Sequence, residues 1–107
     1  MRLEIFVGLT DCNGIPYDWN KIYPKLAEKI AEIEHATVFN NLKGIYRNKK
    51  HELILEDSVM FLIMTPDETA EEKLEKLKEV FRWFLKETNQ ESVLIVKNLT
   101  EFELLKI

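Results

Sequence analysis

Glu56 and Ser58 are the residues of this chain whose types and spacing best suit chemistry. They stand two positions apart, just before the apolar run 59–64, and the period-2 alternation of a strand places both on one face. A carboxylate on an apolar, covered face has a raised pKa and can act as an acid or a base. The pair is therefore the candidate catalytic site. The alternative is that residues 56–58 form a polar bulge that faces solvent near a sheet edge, the commoner role of such breaks.

Two aromatic residues, Tyr17 and Trp19, precede the first helical pattern. With Met60 they could line the mouth of a cavity between helices and sheet, which makes the three residues the candidate ligand-binding set. An aromatic pair in this position is more often a packing contact at the start of a helix.

The string Asp11-Cys12-Asn13-Gly14 could suggest a reactive thiol or a metal loop. Cys12 has no neighbouring base to lower its pKa, and a calcium loop needs a longer acidic pattern. His35 and His51 are far apart and form no ligand-spaced cluster with Cys12. A plain loop is favoured, and neither a metal nor another cofactor is predicted. Asp11 would bind a metal only if the chain processed nucleic acid.

Positive charge is concentrated in the segment from Lys43 to His51, with Tyr46 beside it. These residues could hold a phosphate or a nucleic acid, although lysine at a hairpin tip also prevents edge pairing. The formal net charge of −4 argues against nucleic acid as a partner.

The 107 residues suffice for one domain with one core, spanning 1–107. A lone cysteine excludes an internal disulfide, and no apolar segment at the start has the form of a signal peptide or membrane span. We therefore expect a cytoplasmic protein that does not associate with membranes. The 32% of charged residues, with a single glutamine, is typical of proteins from hot organisms.

The candidate residues lie on a predicted series of strand, helix, strand, strand, helix, strand. Alternation indicates the first strand over 2–9, and four-residue spacing from Asp18 indicates a helix that Pro24 either kinks or delays to about Tyr23. The clearest helix follows a predicted capping box, Thr69 to Glu72. Asn40-Asn41 and Gly44 mark a bulge in the second strand. This series predicts an α+β, ferredoxin-like fold: a four-stranded antiparallel sheet with both helices on one face, and an extra C-terminal strand over 100–105.

The run 59–64 consists of six consecutive apolar residues, a pattern that predicts a strand buried on both faces. The helices can cover only the face that carries Leu3, Ile5, Val7, Val59, Phe61 and Ile63. The opposite face would leave apolar side chains in water, which normally marks an interface. We therefore predict a homo-oligomer, a dimer first and a trimer second, whose interface residues are Phe6, Met60, Leu62 and Met64.

Several short strings resemble an uncharacterised family of small proteins that is known only as a domain of unknown function. The strings are Phe6-Val7-Gly8, Gly14, Trp19, Gly44, Glu56, Ser58, Thr65-Pro66-Asp67 and Gln90-Glu91-Ser92-Val93-Leu94. The resemblance implies a ferredoxin-like, dimeric α+β barrel without an assigned activity. The order of elements is also similar to that of trimeric copper-tolerance and nitrogen-regulatory proteins.

Three functions follow as hypotheses. The first is a small oligomeric binding or regulatory module. The second is a small-molecule enzyme of the dimeric α+β barrel type that uses Glu56, with Ser58 assisting. The third is a metal-dependent nucleic-acid-processing protein that uses Asp11.

Overall fold

The computed structural model describes residues 1–98 and 101–106 and has an α+β fold. In chain order its elements are β1 (Arg2–Gly8), α1 (Trp19–Ala31), β2 (Ala36–Arg47), β3 (Leu53–Met64), α2 (Ala70–Glu87), β4 (Ser92–Lys97) and β5 (Glu101–Lys106). The strands form one sheet in the order β2-β3-β1-β4-β5, and every neighbouring pair is antiparallel. None of the described helices is long and apolar enough to cross a membrane.

The predicted α+β class with two helices is confirmed, but the sheet has five strands and not four. The additional strand, β5, pairs along the whole length of β4, from Ser92 opposite Lys106 to Lys97 opposite Glu101. It is the extra C-terminal strand that the sequence predicts, although Thr100, its predicted first residue, lies outside the described residues. Because β5 takes the edge next to β4, β4 becomes an interior strand like β1 and β3.

Helix α1 begins where its cap residue predicts. The Asp18 carboxylate accepts the backbone N–H of Lys21 at 3.2 Å, and the helix runs without interruption through Pro24. The predicted delayed start near Tyr23 is wrong. One lost hydrogen bond at Pro24 is tolerated because Leu26 and Ile30, which follow it in the helix, are buried in the core.

Helix α2 does not use the predicted capping box. Thr69 closes a short 3-10 turn over Asp67–Thr69, and its φ of −115° and ψ of 4° are not the extended angles of a capping residue. Its side chain therefore makes no cap hydrogen bond. At the other end, Asn89 has a φ of +51°, and the N–H of Gln90 binds the carbonyl of Leu85 at 3.0 Å, a left-handed helix end.

The core lies between both helices and one face of the sheet. Its strand members include Leu3, Ile5, Val7, Val59, Phe61 and Ile63, all predicted for this face. The facing helix residues are Leu26, Ile30, Leu74, Leu77, Phe81, Phe84 and Leu85. Neither of the two described helices covers the opposite face, where Phe6, Met60 and Leu62 are half-buried and Met64 is 60% exposed.

Strands β2 and β3 continue beyond the end of β1 as a two-stranded ribbon. The register between them shifts between Phe39 and Leu42, and Asn41 has a φ of +61°, which confirms the bulge at Asn40-Asn41. Gly44 is not part of the bulge, because it pairs in register with Glu56. The ribbon carries Glu56 to the end of β1, where the chain leaves the sheet.

Candidate functional site

The loop from residue 9 to residue 18, here called the β1–α1 loop, packs against this ribbon. Its tip is closed by Asp11, whose carboxylate accepts the N–H groups of Asn13 at 2.8 Å and Ile15 at 3.0 Å. The carboxylate of Asp11 thus has a structural role in the loop. In the described part of the chain, no cluster of three or more histidine, cysteine or acidic side chains could hold a metal, so nothing here supports the metal-dependent hypothesis.

Glu56 lies across the end of β1. Its carboxylate occupies the space in which a Cβ of Gly8 would stand, and the hydroxyl of Thr10 donates a hydrogen bond to it. Only a residue without a side chain permits this close approach. The alternative interpretation, a solvent-facing polar bulge at residues 56–58, is wrong, because all three residues pair in register with β2. Of the three, only Asp57 is exposed.

Burial sets the electrostatics of Glu56. Loss of hydration raises the pKa of the carboxyl, and the hydrogen bond from Thr10 opposes part of that rise. Among residues 1–98 and 101–106, no lysine or arginine forms an ion pair with Glu56. The site therefore presents a half-buried negative charge that no cation of the described chain neutralises.

Two tyrosines lie close enough to Glu56 for its negative charge to raise their pKa values. The hydroxyl of Tyr17 donates to the carbonyl of Gly8 at 2.6 Å, and its pKa is raised mainly by burial and further by Glu56. Tyr46, two residue pairs along the ribbon, also has a raised pKa, first from burial and then from Glu56. Both phenols stay protonated at neutral pH, so they can donate hydrogen bonds but cannot serve as bases.

Ser58 is buried beside the same site. A Cβ at Gly44 would approach its Oγ to 2.9 Å. Glycines therefore flank Glu56 and Ser58 on both neighbouring strands, Gly8 on β1 and Gly44 on β2. The absence of side chains at these two positions gives the carboxylate and the hydroxyl their space.

The three candidate ligand-binding residues are not brought around one cavity. Tyr17 lies near Glu56, but Trp19 stacks on Tyr23 with ring centroids 4.9 Å apart and contacts Phe84 in the core. Met60 lies on the sheet face away from the helices, the face that also carries Glu56 and Ser58, because it alternates with the core residues of β3. A ligand-binding role for these residues stays a prediction.

The basic hairpin is partly engaged in internal contacts. Lys43 forms an ion pair with Asp57, and the guanidinium of Arg47 donates to the carbonyl of His51 at 2.8 Å. Asn48, at the tip, is buried and accepts the N–H groups of Lys50 at 2.9 Å and residue 52 at 3.0 Å. These contacts stabilise the turn between β2 and β3.

Sequence reasoning missed Thr10 and Tyr46 as partners of Glu56. Thr10 is 46 positions away along the chain and belongs to a loop with no regular pattern. For Tyr46, the sequence indicates only a base-stacking role beside the basic hairpin. The available signal was the glycine pair, Gly8 and Gly44, because two glycines facing one carboxylate in adjacent strands indicate a close approach.

No protein-family model matches the chain, and no curated protein matches it. Two solved structures resemble it over 99% of its length. A phage SAM lyase in complex with S-methyl-5'-thioadenosine aligns with a TM-score of 0.71 and 21% identity over 88% of that chain. A phage SAM lyase in the apo state aligns with a TM-score of 0.59 and 23% identity over 81% of that chain. Identity at this level shows the shared fold.

These neighbours correct the first functional hypothesis. Both are named as a SAM lyase, which is an enzyme and not a binding or regulatory module, and at 21% and 23% identity the likeness itself extends to the fold. The resemblance to a family of unknown function is not confirmed, since no family model matches. A catalytic role for Glu56 and Ser58 stays a prediction.

Proposed function

We propose that this chain is a small-molecule enzyme that cleaves a sulfonium nucleoside of the SAM class at a site built around Glu56. The observation that carries the proposal is the half-buried carboxylate of Glu56, which has a raised pKa and no cationic partner in the described part of the chain. Two solved structures of the same fold are SAM lyases, one with S-methyl-5'-thioadenosine bound. The substrate class is taken from them.

The charge of such a substrate complements the site. A sulfonium sulfur carries a fixed positive charge that has no proton to lose, so it can supply the cation that Glu56 lacks. An ion pair in a partly desolvated site is stronger than the same pair in water. The protonated phenol of Tyr46 can donate a hydrogen bond to a polar group of the nucleoside.

Cleavage that yields S-methyl-5'-thioadenosine breaks the bond between sulfur and the four-carbon amino acid fragment. Sulfur keeps the electron pair and becomes a neutral thioether. The fragment is completed either by loss of a Cβ proton to a base or by attack of its own carboxylate on Cγ. Glu56 suits proton abstraction because its raised pKa brings it nearer to neutral pH, and it can hold the sulfonium in either route.

Incubation of the purified protein with SAM tests the proposal. We expect S-methyl-5'-thioadenosine to form, and an unsaturated amino acid or a lactone as the second product distinguishes the two routes. Glu56→Gln removes the charge but retains an oxygen for Thr10, and it should lower the rate by at least about 100-fold. Asp57→Asn, a neighbouring exposed carboxylate, is the matched control and should retain the rate. Equal rates in wild type and Glu56→Gln would refute the role of Glu56.

We also propose that the enzyme is a homo-oligomer of the ferredoxin-like, dimeric α+β barrel type, with a trimer as the second arrangement. The support is the uncovered face of the sheet, on which Phe6, Met60, Leu62 and Met64 lie together with Leu94, itself 37% exposed. A second copy would remove these side chains from water. Sedimentation at micromolar concentration tests this assembly, and a single 12.7 kDa species would refute it.

A further inference from the structure

The hydrogen bond from Thr10 to Glu56 depends on the conformation of the β1–α1 loop, because Thr10 lies in no helix or strand. At Thr10 the loop makes one isolated backbone bridge, to Pro16. Beyond it, residues 11–14 form a turn in which the N–H of Gly14 binds the carbonyl of Asp11 at 3.0 Å. The loop is thus rigid in itself, and its position over Glu56 is set by where it is attached to the rest of the molecule.

One attachment is at the residue before Thr10, where the N–H of Leu9 binds the carbonyl of Asp57 at 2.9 Å, and a second lies two residues after Thr10. The backbone N–H of Cys12 donates to the carbonyl of Asn89 at 2.8 Å, at the left-handed end of α2. On its other side, the carbonyl of Cys12 receives a longer contact, 3.5 Å, from the side-chain amide of Asn48 at the hairpin tip. The backbone of Cys12 is therefore held from both sides: its N–H by the end of α2 and its carbonyl by the ribbon that carries Glu56.

We propose that Cys12 is a positioning residue that acts through its backbone N–H: bound to the Asn89 carbonyl, it keeps Thr10 in place to donate to Glu56. The inference rests on the proposed function only for its effect on catalysis. The thiol has no part in it. The helix end, more than 70 residues away along the chain, thereby controls the environment of the candidate base.

The structure supplies a substitution that deletes this N–H alone. Cys12 is the second residue of the turn 11–14, and Asn13 does not have a positive φ, so the turn is of type I. Proline is favoured at the second position of a type I turn, but it has no N–H. Cys12→Pro thus preserves the turn while removing the bond to Asn89, and Cys12→Ala is the matched control that keeps the bond and loses only the thiol.

The principal measurement is the pKa of Glu56, followed by carbon-13 NMR of the labelled carboxyl. The titratable groups around it are Tyr17 and Tyr46, and Cys12 and Glu91 are close enough to affect Tyr46 in turn; neither variant alters the charge of a carboxylate. We expect Cys12→Pro to raise the pKa of Glu56 above the wild-type value, because the hydrogen bond from Thr10 that lowers it is weakened. Cys12→Ala should titrate as wild type.

Turnover of SAM gives the second readout. In Cys12→Pro we expect kcat to fall by up to about tenfold, the worth of one hydrogen bond, and the acid limb of the pH profile to move with the Glu56 pKa. If wild type turns over no SAM, the proposed function fails, but the NMR titration still tests the positioning role.

Asn48→Ser is the second variant, for the case in which Cys12→Pro does not fold. Serine can still accept the N–H groups of the hairpin turn but is too short to reach the Cys12 carbonyl. We expect a smaller rise of the Glu56 pKa in the same direction. If Cys12→Pro folds and the pKa of its Glu56 equals that of wild type, the inference is overturned. If only Asn48→Ser folds, an unchanged pKa of Glu56 in that variant overturns it.

Discussion

Gly8→Ala should disturb the site through a single methyl group. The new Cβ would stand where the Glu56 carboxylate now lies. Gly8 does not have a positive φ, so alanine fits the backbone, and the end of the flexible Glu56 side chain is what must move. We expect the carboxylate to turn towards water and to lose the hydrogen bond from Thr10.

The size of the effect follows from two opposing contributions. A hydrogen bond to a charged group contributes about 1.5 kcal/mol, whereas Gly→Ala at a compatible position stabilises by about 0.5 kcal/mol. Gly8→Ala should therefore lower the free energy of unfolding by at most about 1 kcal/mol, since the released carboxylate regains hydration. For a domain of this size that is a fall in Tm of roughly 5 °C.

A double-mutant cycle in urea isolates the cause. In a Glu56→Ala background there is no carboxylate to displace, so Gly8→Ala should stabilise by about 0.5 kcal/mol, which gives a coupling of up to about 1.5 kcal/mol between the two positions. In the single mutant the pKa of Glu56 should fall towards its ordinary value, because burial, the main cause of its rise, is lost. Equal effects of Gly8→Ala in both backgrounds, within about 0.3 kcal/mol, would refute the placement of Glu56 over Gly8.

Three further outcomes are expected. Glu56→Gln should be more stable than wild type at neutral pH, because glutamine does not titrate. The folded-state pKa of Glu56 is raised, so wild type loses stability as the pH rises above about 4.5 and through that pKa. A difference in unfolding free energy between the two proteins that stays constant from pH 3 to pH 7 would contradict this. Tyr17→Phe should cost roughly 1 to 2 kcal/mol of unfolding free energy, because the Gly8 carbonyl loses its 2.6 Å donor; a loss below about 0.3 kcal/mol would mean that water replaces the hydroxyl. Met64→Glu should weaken self-association in sedimentation, because it places a charge on the uncovered face of the sheet. The control Glu79→Gln, at an exposed position of α2, should leave the assembly intact. Unchanged assembly in Met64→Glu would exclude this face as the interface.

Local patterns were sufficient for most of the fold. The alternation of β1 identified Leu3, Ile5 and Val7 as core residues, and all three are buried. The apolar stripe of α2 identified its buried face in the same way. Periodicity succeeds here because burial of a repeating face dominates the energy of each element.

The cap of α2 was not predictable from the same kind of pattern. Thr69 and Glu72 have the residue types and spacing of a capping box, but a 3-10 turn precedes the helix and rotates Thr69 out of the capping conformation. The turn begins after Pro66, next to a contact between Asp67 and the N-terminal ammonium group at 2.8 Å. That contact joins residues 66 positions apart, which no local window contains.

The sequence by itself determined the class of fold, the core face of each element and the candidacy of Glu56, because these depend on residue type and on periods of two or 3.6 residues. Only the tertiary structure decided what surrounds Glu56. Gly8, Thr10 and Tyr17 meet it because β1 ends where the ribbon of β2 and β3 continues, and the loop that follows β1 returns over the carboxylate. Contacts of this kind bring together distant segments, and their energy arises from desolvation and hydrogen bonding that exist only once those segments are packed.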